Sequence, residues 1–95
     1  MTGSIRESNN GLAFSPQAWE GIAYTLGLAR RELEVLQCLV GDQHEADIAA
    51  TLGLSRHTVR TYLERLRAKT GAHTRVQLVK RAFAAYRVWV RDYPP

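Results

Sequence analysis

The sequence is poor in the features that mark several large classes of protein. It has one cysteine, Cys38, so no internal disulfide can form, and a reducing, cytoplasmic setting is expected. No apolar run reaches the roughly 18 residues a membrane span requires. The opening stretch MTGSIRESNNG lacks the apolar core of a secretory signal. There is no glycine-rich phosphate loop. His44, His57 and His73 have no partners at metal-ligand spacing, so neither a metal nor a cofactor is expected. Cys38 sits in an apolar helical run without a nucleophile motif and reads as a small core or boundary residue. Glu32, Glu34 and Asp47 read as helix-surface or internal ion-pair groups. No catalytic residue is assigned, and an enzyme is not expected.

What is present is an uneven distribution of charge. The 95 residues carry a net charge of +4. Residues 1–53 hold three basic side chains against seven acidic ones, a balance of −4. Residues 54–95 hold ten basic against two acidic, a balance of +8. A basic half beginning at one helix is the footprint of a polyanion partner. The acidic first half argues against a chain that merely coats DNA. A chain of this length makes one small domain with a core of its own.

The basic half begins inside the stretch that organises the chain, Glu45 to Thr70. Ile48 and Leu52 share a helical face. Ala49 is small where a second helix must pass close. Gly53 can take the left-handed conformation that ends the first helix, and Ser55 can cap the second. Val59 then drops between the two. The spacing predicts helices over Glu45–Leu52 and Arg56–Thr70 in a helix-turn-helix. Val59, Leu63 and Leu66 form the buried side of the second helix, with Tyr62 at its edge. The opposite side carries His57, Thr61, Glu64 and Ala68, flanked by Arg60 and Arg65, with Arg56, Arg67 and Lys69 further round. Five basic residues stand against one acid, Glu64, where a helix needing only solubility would mix signs.

Around this stretch, residues 1–14 are polar and are expected to form a flexible arm. Residues 15–95 then make a single helical domain. Ser15-Pro16 is a helix start, and a helix should run from Pro16 to Leu26 and stop at Gly27. Its face of Trp19, Ile22, Ala23 and Leu26 reads as core, with a dimer contact by Trp19 as the alternative. A helix over Arg30–Val40 buries Val35, Leu36, Leu39 and Val40. Asp42 or His44 is expected to cap the next helix, with Asp the better residue for it. Thr74 caps a last helix from Arg75 to about Tyr93. That helix has two apolar stripes, one of Val76, Val79, Phe83, Tyr86, Val90 and Tyr93, the other of Leu78, Ala82, Ala85 and Trp89. One stripe suffices to dock it. The second predicts a self-contact, with Phe83, Tyr86, Trp89 and Val90 as the dimer interface, unless the Pro16–Leu26 helix covers it.

Leu28 to Ala82 resembles the LuxR/GerE-type DNA-binding domain of bacterial transcription regulators. The matching pieces are Arg31-Glu32-x-Glu34-Val35-Leu36, Asp47-Ile48-Ala49-x-x-Leu52-Gly53-Leu54-Ser55-x-x-Thr58-Val59-Arg60, Leu63-x-x-Leu66-x-x-Lys69-x-Gly71 and Thr74-Arg75-x-Gln77-Leu78-Val79. The resemblance implies an all-α fold, a LuxR-type tetrahelical helix-turn-helix bundle, here with an extra N-terminal helix and a long C-terminal one. It implies a third helix in the major groove and a fourth that supports dimerisation. It implies base-edge work for Arg60, Thr61 and Glu64, which His57 joins on the same strip. It implies phosphate contacts near Ser55, Thr58, Arg65, Lys69 and Arg75, with Arg56 and Arg67 alongside.

The chain departs from the family pattern in places. Ala29-Arg30 replaces the usual Thr-Pro, so the usual cap is lost. The glycine of the next turn usually stands where this chain has Asp42. Tyr62 stands where histidine is usual and Thr70 where leucine is. Glu64 replaces a basic or amide residue and points to a different operator, with a cytosine amino group facing it. The residues ahead of Leu28 are too few for a receiver or ligand-binding domain, so a stand-alone member is expected. The resulting expectation is a sequence-specific, double-stranded DNA-binding transcriptional regulator, working as a homodimer. The alternative is a small interaction protein that heterodimerises with a full-length LuxR-type regulator. RNA polymerase is a further candidate partner, and no membrane partner is expected.

Overall fold

The computed structural model describes residues 14–93. They form five helices, α1 Pro16–Leu26, α2 Arg30–Val40, α3 Glu45–Leu52, α4 Arg56–Thr70 and α5 Arg75–Asp92. There is no strand among the described residues. The fold is the all-α bundle expected, the four helices α2–α5 preceded by α1. No described helix is long and apolar enough to cross a membrane.

The ends of the helices follow local chemistry. Ser15 Oγ accepts from the Ala18 N–H at 3.1 Å, and Pro16 opens α1 where a missing N–H costs nothing. Ser55 and Thr74 cap α4 and α5 in the same way, accepting from Thr58 N at 3.0 Å and Gln77 N at 3.1 Å. Gly53 adopts φ 68° between α3 and α4. The left-handed residue lets Leu54 N–H return to the Ala49 carbonyl at 2.9 Å, closing the helix end inside the turn.

One helix start differs from expectation, that of α3, and the start of α2 lacks a side-chain cap as expected. Asp42 caps nothing. It is itself the left-handed residue that ends α2, at φ 68°, where the family pattern is expected to have glycine. Gln43 N–H then reaches back to the Cys38 carbonyl at 3.0 Å. His44 is the N-cap of α3, but its side chain makes no capping bond. Asp47, one turn in, accepts from His44 N–H at 3.2 Å instead. Glu32 does the same for Ala29 N–H at 2.8 Å, in place of the threonine cap. A carboxylate three residues inside a helix can satisfy the first free donor when the cap residue has no oxygen to offer.

The core is built from Trp19 and Ile22 of α1, Leu33, Val35, Leu36 and Leu39 of α2, and Ile48 and Ala49 of α3. Val59, Leu63 and Leu66 of α4, Ala72 of the loop that follows, and Leu78, Ala82 and Ala85 of α5 complete it. On α5 the buried stripe is therefore that of Leu78, Ala82 and Ala85. Their stripe-mate Trp89 lies over Gly21 of α1, where an added Cβ would run into the indole ring. α1 packs chiefly on α5, and it covers the stripe that ends in Trp89, the alternative to a self-contact there. The other stripe is the more open one, with Val76 61%, Phe83 37% and Tyr93 55% exposed.

The expected arm at residues 1–14 lies outside the described residues except for Phe14. Phe14 packs its ring 4.9 Å, centre to centre, from each of Trp19, Phe83 and Tyr86. That residue belongs to an aromatic cluster at the open edge of α1 and α5.

Candidate nucleic-acid interface

α4 is amphipathic by the ordinary helical period. Val59 and Leu66 are fully buried and Leu63 nearly so. The other side of the helix is thereby turned outward, with His57, Arg60 and Glu64 exposed and Thr61 half-buried among them. These four residues form one outward strip. Thr61 Oγ1 donates to the His57 carbonyl at 3.2 Å, which holds its hydroxyl against the helix. Arg60 Nε donates to Glu45 Oε1 at 3.0 Å, across from α4 to the first residue of α3.

The residues expected to meet phosphate divide into two groups. Arg56 and Arg67 are exposed, and neither side chain has a hydrogen-bond partner among the described residues. Arg65 is exposed with its guanidinium carbon 5.3 Å from the centre of the Tyr62 ring, a cation–π contact. Ser55 and Thr58 stand together at the start of α4, where Ser55 Oγ donates to Thr58 Oγ1 at 2.9 Å. Free N–H groups and the positive end of the dipole lie at that point, a favourable place for an anion.

Lys69 and Arg75 are engaged with the protein itself. Lys69 Nζ donates to Glu32 Oε1 at 2.7 Å and to the Gly27 carbonyl at 2.9 Å. Glu32 is 3% exposed. Burial pushes its carboxyl up, but the Lys69 bond and charge and the Ala29 N–H outweigh burial and hold it below the ordinary range. Arg75 Nη2 donates to the Leu39 carbonyl at 3.4 Å and stands 3.7 Å from Asp42 Oδ1. Both basic side chains tie the basic half to the acidic half of the chain.

Of the residues expected at a dimer interface, Phe83 is exposed, while Tyr86, Trp89 and Val90 are half-buried. Tyr86 and Trp89 are occupied within the chain by Phe14 and Gly21. Cys38 is half-buried, and burial, with Glu34 adding to it, pushes its thiol up. A thiol kept protonated in this way is a weak nucleophile.

The sequence pattern alone does not pair Glu45 with Arg60 or the buried Glu32 with Lys69. Glu45 lies 15 positions from Arg60 and Glu32 lies 37 from Lys69. No helical period links such pairs, and only the crossing of α3 and of α2 with α4 brings them together.

A family model described as bacterial regulatory proteins, luxR family, matches residues 22–82. The match begins within α1 and ends within α5. Over 61 residues the chain is 38% identical to the HTH-type transcriptional activator RamA of Corynebacterium glutamicum. That match takes in 64% of this chain and only 22% of the length of that relative. No solved structure matches the chain.

Proposed function

The chain belongs to the luxR family of bacterial regulatory proteins, a family of DNA-binding transcription regulators, and on that premise we propose that it is a sequence-specific regulator that binds duplex DNA with α4 in the major groove. The observation that carries this reading is the outward strip of His57, Arg60, Thr61 and Glu64 on a helix whose other side is buried. A helix fits the major groove, and side chains on one strip meet successive base edges there. Arg60 is the residue suited to a bidentate contact with guanine, worth about 1–3 kcal/mol of discrimination. Glu64 can only accept, from a base amino group, and a cytosine N4 amino group is the usual partner of a carboxylate. Arg56, Arg65 and Arg67, with Ser55 and Thr58 at the helix start, meet phosphate and set register rather than sequence.

We further propose a homodimer, which would present two copies of α4 to half-sites about one turn of DNA apart. The support for this is the open stripe of α5. Val76, Phe83 and Val90 recur every seven residues, and Val79, Tyr86 and Tyr93 follow at the alternate spacing. That is the repeat by which two helices pack along a seam. Phe83 and Val90 are its contact residues. Tyr86 and Trp89 back them from within the chain.

The test is a fluorescence-anisotropy titration against pooled genomic duplexes, with random-sequence competitor and a salt series. The reading expects binding that survives competitor. It also expects log K to fall with log salt by about 0.9 for each phosphate contacted. Arg60→Ala should lower binding to the recovered duplexes more than to random DNA. Equal loss on both would remove its base-reading role. Binding abolished by competitor would favour the other reading, a protein partner on the open α5 stripe such as a larger regulator of the same family.

A further inference from the structure

The first residue of α3 is turned away from its own helix. A carboxylate at a helix start is ordinarily stabilised by that helix's free N–H groups. Glu45 instead accepts from Arg60 Nε at 3.0 Å, from the second turn of α4. Both side chains keep substantial exposure, 35% for Glu45 and 58% for Arg60. An exposed pair of this kind adds little to stability, so its consequence lies elsewhere.

We infer that Glu45 is a positioning residue for base reading, which holds Arg60 by Nε so that its Nη1 and Nη2 edge is presented end-on to guanine. This rests on the major-groove reading above. Three physical effects act in the same direction. Guanidinium is a planar fork, and taking up Nε leaves the two terminal nitrogens as the bidentate pair. These terminal nitrogens have no other bond among the described residues. A tethered arginine has already lost much of the rotamer freedom it would otherwise lose on binding. Finally, the carboxylate offsets the charge of Arg60, which weakens its attraction to phosphate but leaves its hydrogen bonds to a base edge. Random DNA is held by charge alone, so Glu45 lowers random binding more than specific binding.

The experiment uses duplexes selected by the wild-type protein from a random library. Affinity for selected and for random duplex is measured for wild type, Glu45→Ala, Glu45→Gln, Arg60→Ala and the Glu45→Ala/Arg60→Ala double variant. Glu45→Ala is expected to lower the selected-to-random ratio roughly three- to tenfold, the size of the ordering cost of one long side chain. Its random binding should become more salt-dependent, by up to about 0.9 in the log–log slope, as Arg60 is freed for phosphate. Glu45→Gln, which keeps an acceptor oxygen without the charge, should recover part of the ratio. In the Arg60→Ala background Glu45→Ala should have no further effect on it. A ratio unchanged by Glu45→Ala, or lowered as much without Arg60 as with it, overturns the inference while leaving DNA recognition standing. Failure to select any duplex overturns the major-groove reading and this inference with it.

Discussion

Lys69 Nζ lies 2.7 Å from Oε1 of the buried Glu32, and 2.9 Å from the carbonyl of Gly27. One side chain from the last turn of α4 thus neutralises a carboxylate of α2 and ties down the loop after α1. The position expected to meet phosphate is a structural joint.

Lys69→Ala is therefore expected to act first on stability. It leaves a buried carboxylate without its charge partner, a loss of about 3–5 kcal/mol for a fully buried pair. Lys69 is 39% exposed, which brings the expectation to about 2–3 kcal/mol. Urea unfolding monitored by helicity measures it. Full stability together with weaker binding to every duplex would return Lys69 to phosphate duty.

The same pair predicts an acid limit. The Glu32 carboxyl is held below its ordinary 4.5 in the folded chain, so the folded state binds its proton less readily than the unfolded state does. The stability this confers is fully present above that ordinary value. It is lost as pH falls below it, through the lowered value of the folded chain. Glu32→Gln should unfold less steeply with acid than wild type over this window, though it is less stable at neutral pH. Parallel curves for the two proteins would show that Glu32 does not set the acid limit.

Gly21→Ala tests the covering of α5 by α1. Helix propensity alone favours alanine inside a helix by about 1 kcal/mol. Here the new methyl meets the Trp89 indole, and overpacking of this kind costs about 1–3 kcal/mol. Thermal unfolding should show a lower midpoint for Gly21→Ala. In a Trp89→Ala background the same change should become neutral or stabilising. A raised midpoint in the wild-type background would mean that Trp89 does not sit over Gly21.

Asp42 offers a test with the opposite sign. The left-handed conformation costs a residue with a Cβ about 1–2 kcal/mol, less for aspartate than for most. Asp42→Gly removes that strain at the cost of a more flexible unfolded chain, and it should be neutral to stabilising by about 1 kcal/mol. Asp42→Val should be destabilising by about 1–2 kcal/mol, because a β-branched residue is least tolerated there. Chemical unfolding of the pair gives the difference, and equal stabilities would contradict a left-handed residue at this position.

Local chemistry and the helical period determined a great deal without help. Ser15, Ser55 and Thr74 start helices because their oxygens reach the free N–H groups a turn ahead. Gly53 ends one because it alone tolerates the left-handed turn cheaply. The buried positions Ile48, Val59, Leu63 and Leu66, and hence the outward strip through Arg60, follow from 3.6 residues per turn. What tertiary structure decided is which of two competing partners each longer-range group takes. Either stripe of α5 could have docked, and the one facing Gly21 did because a glycine there leaves room for an indole ring. Lys69 and Arg60 are alike in charge and lie on one helix. Lys69 is drawn inward by a buried carboxylate and Arg60 is held at the surface by an exposed one. Side chains 15 and 37 positions apart meet only through the crossing of helices, and no period within a single helix encodes that distance.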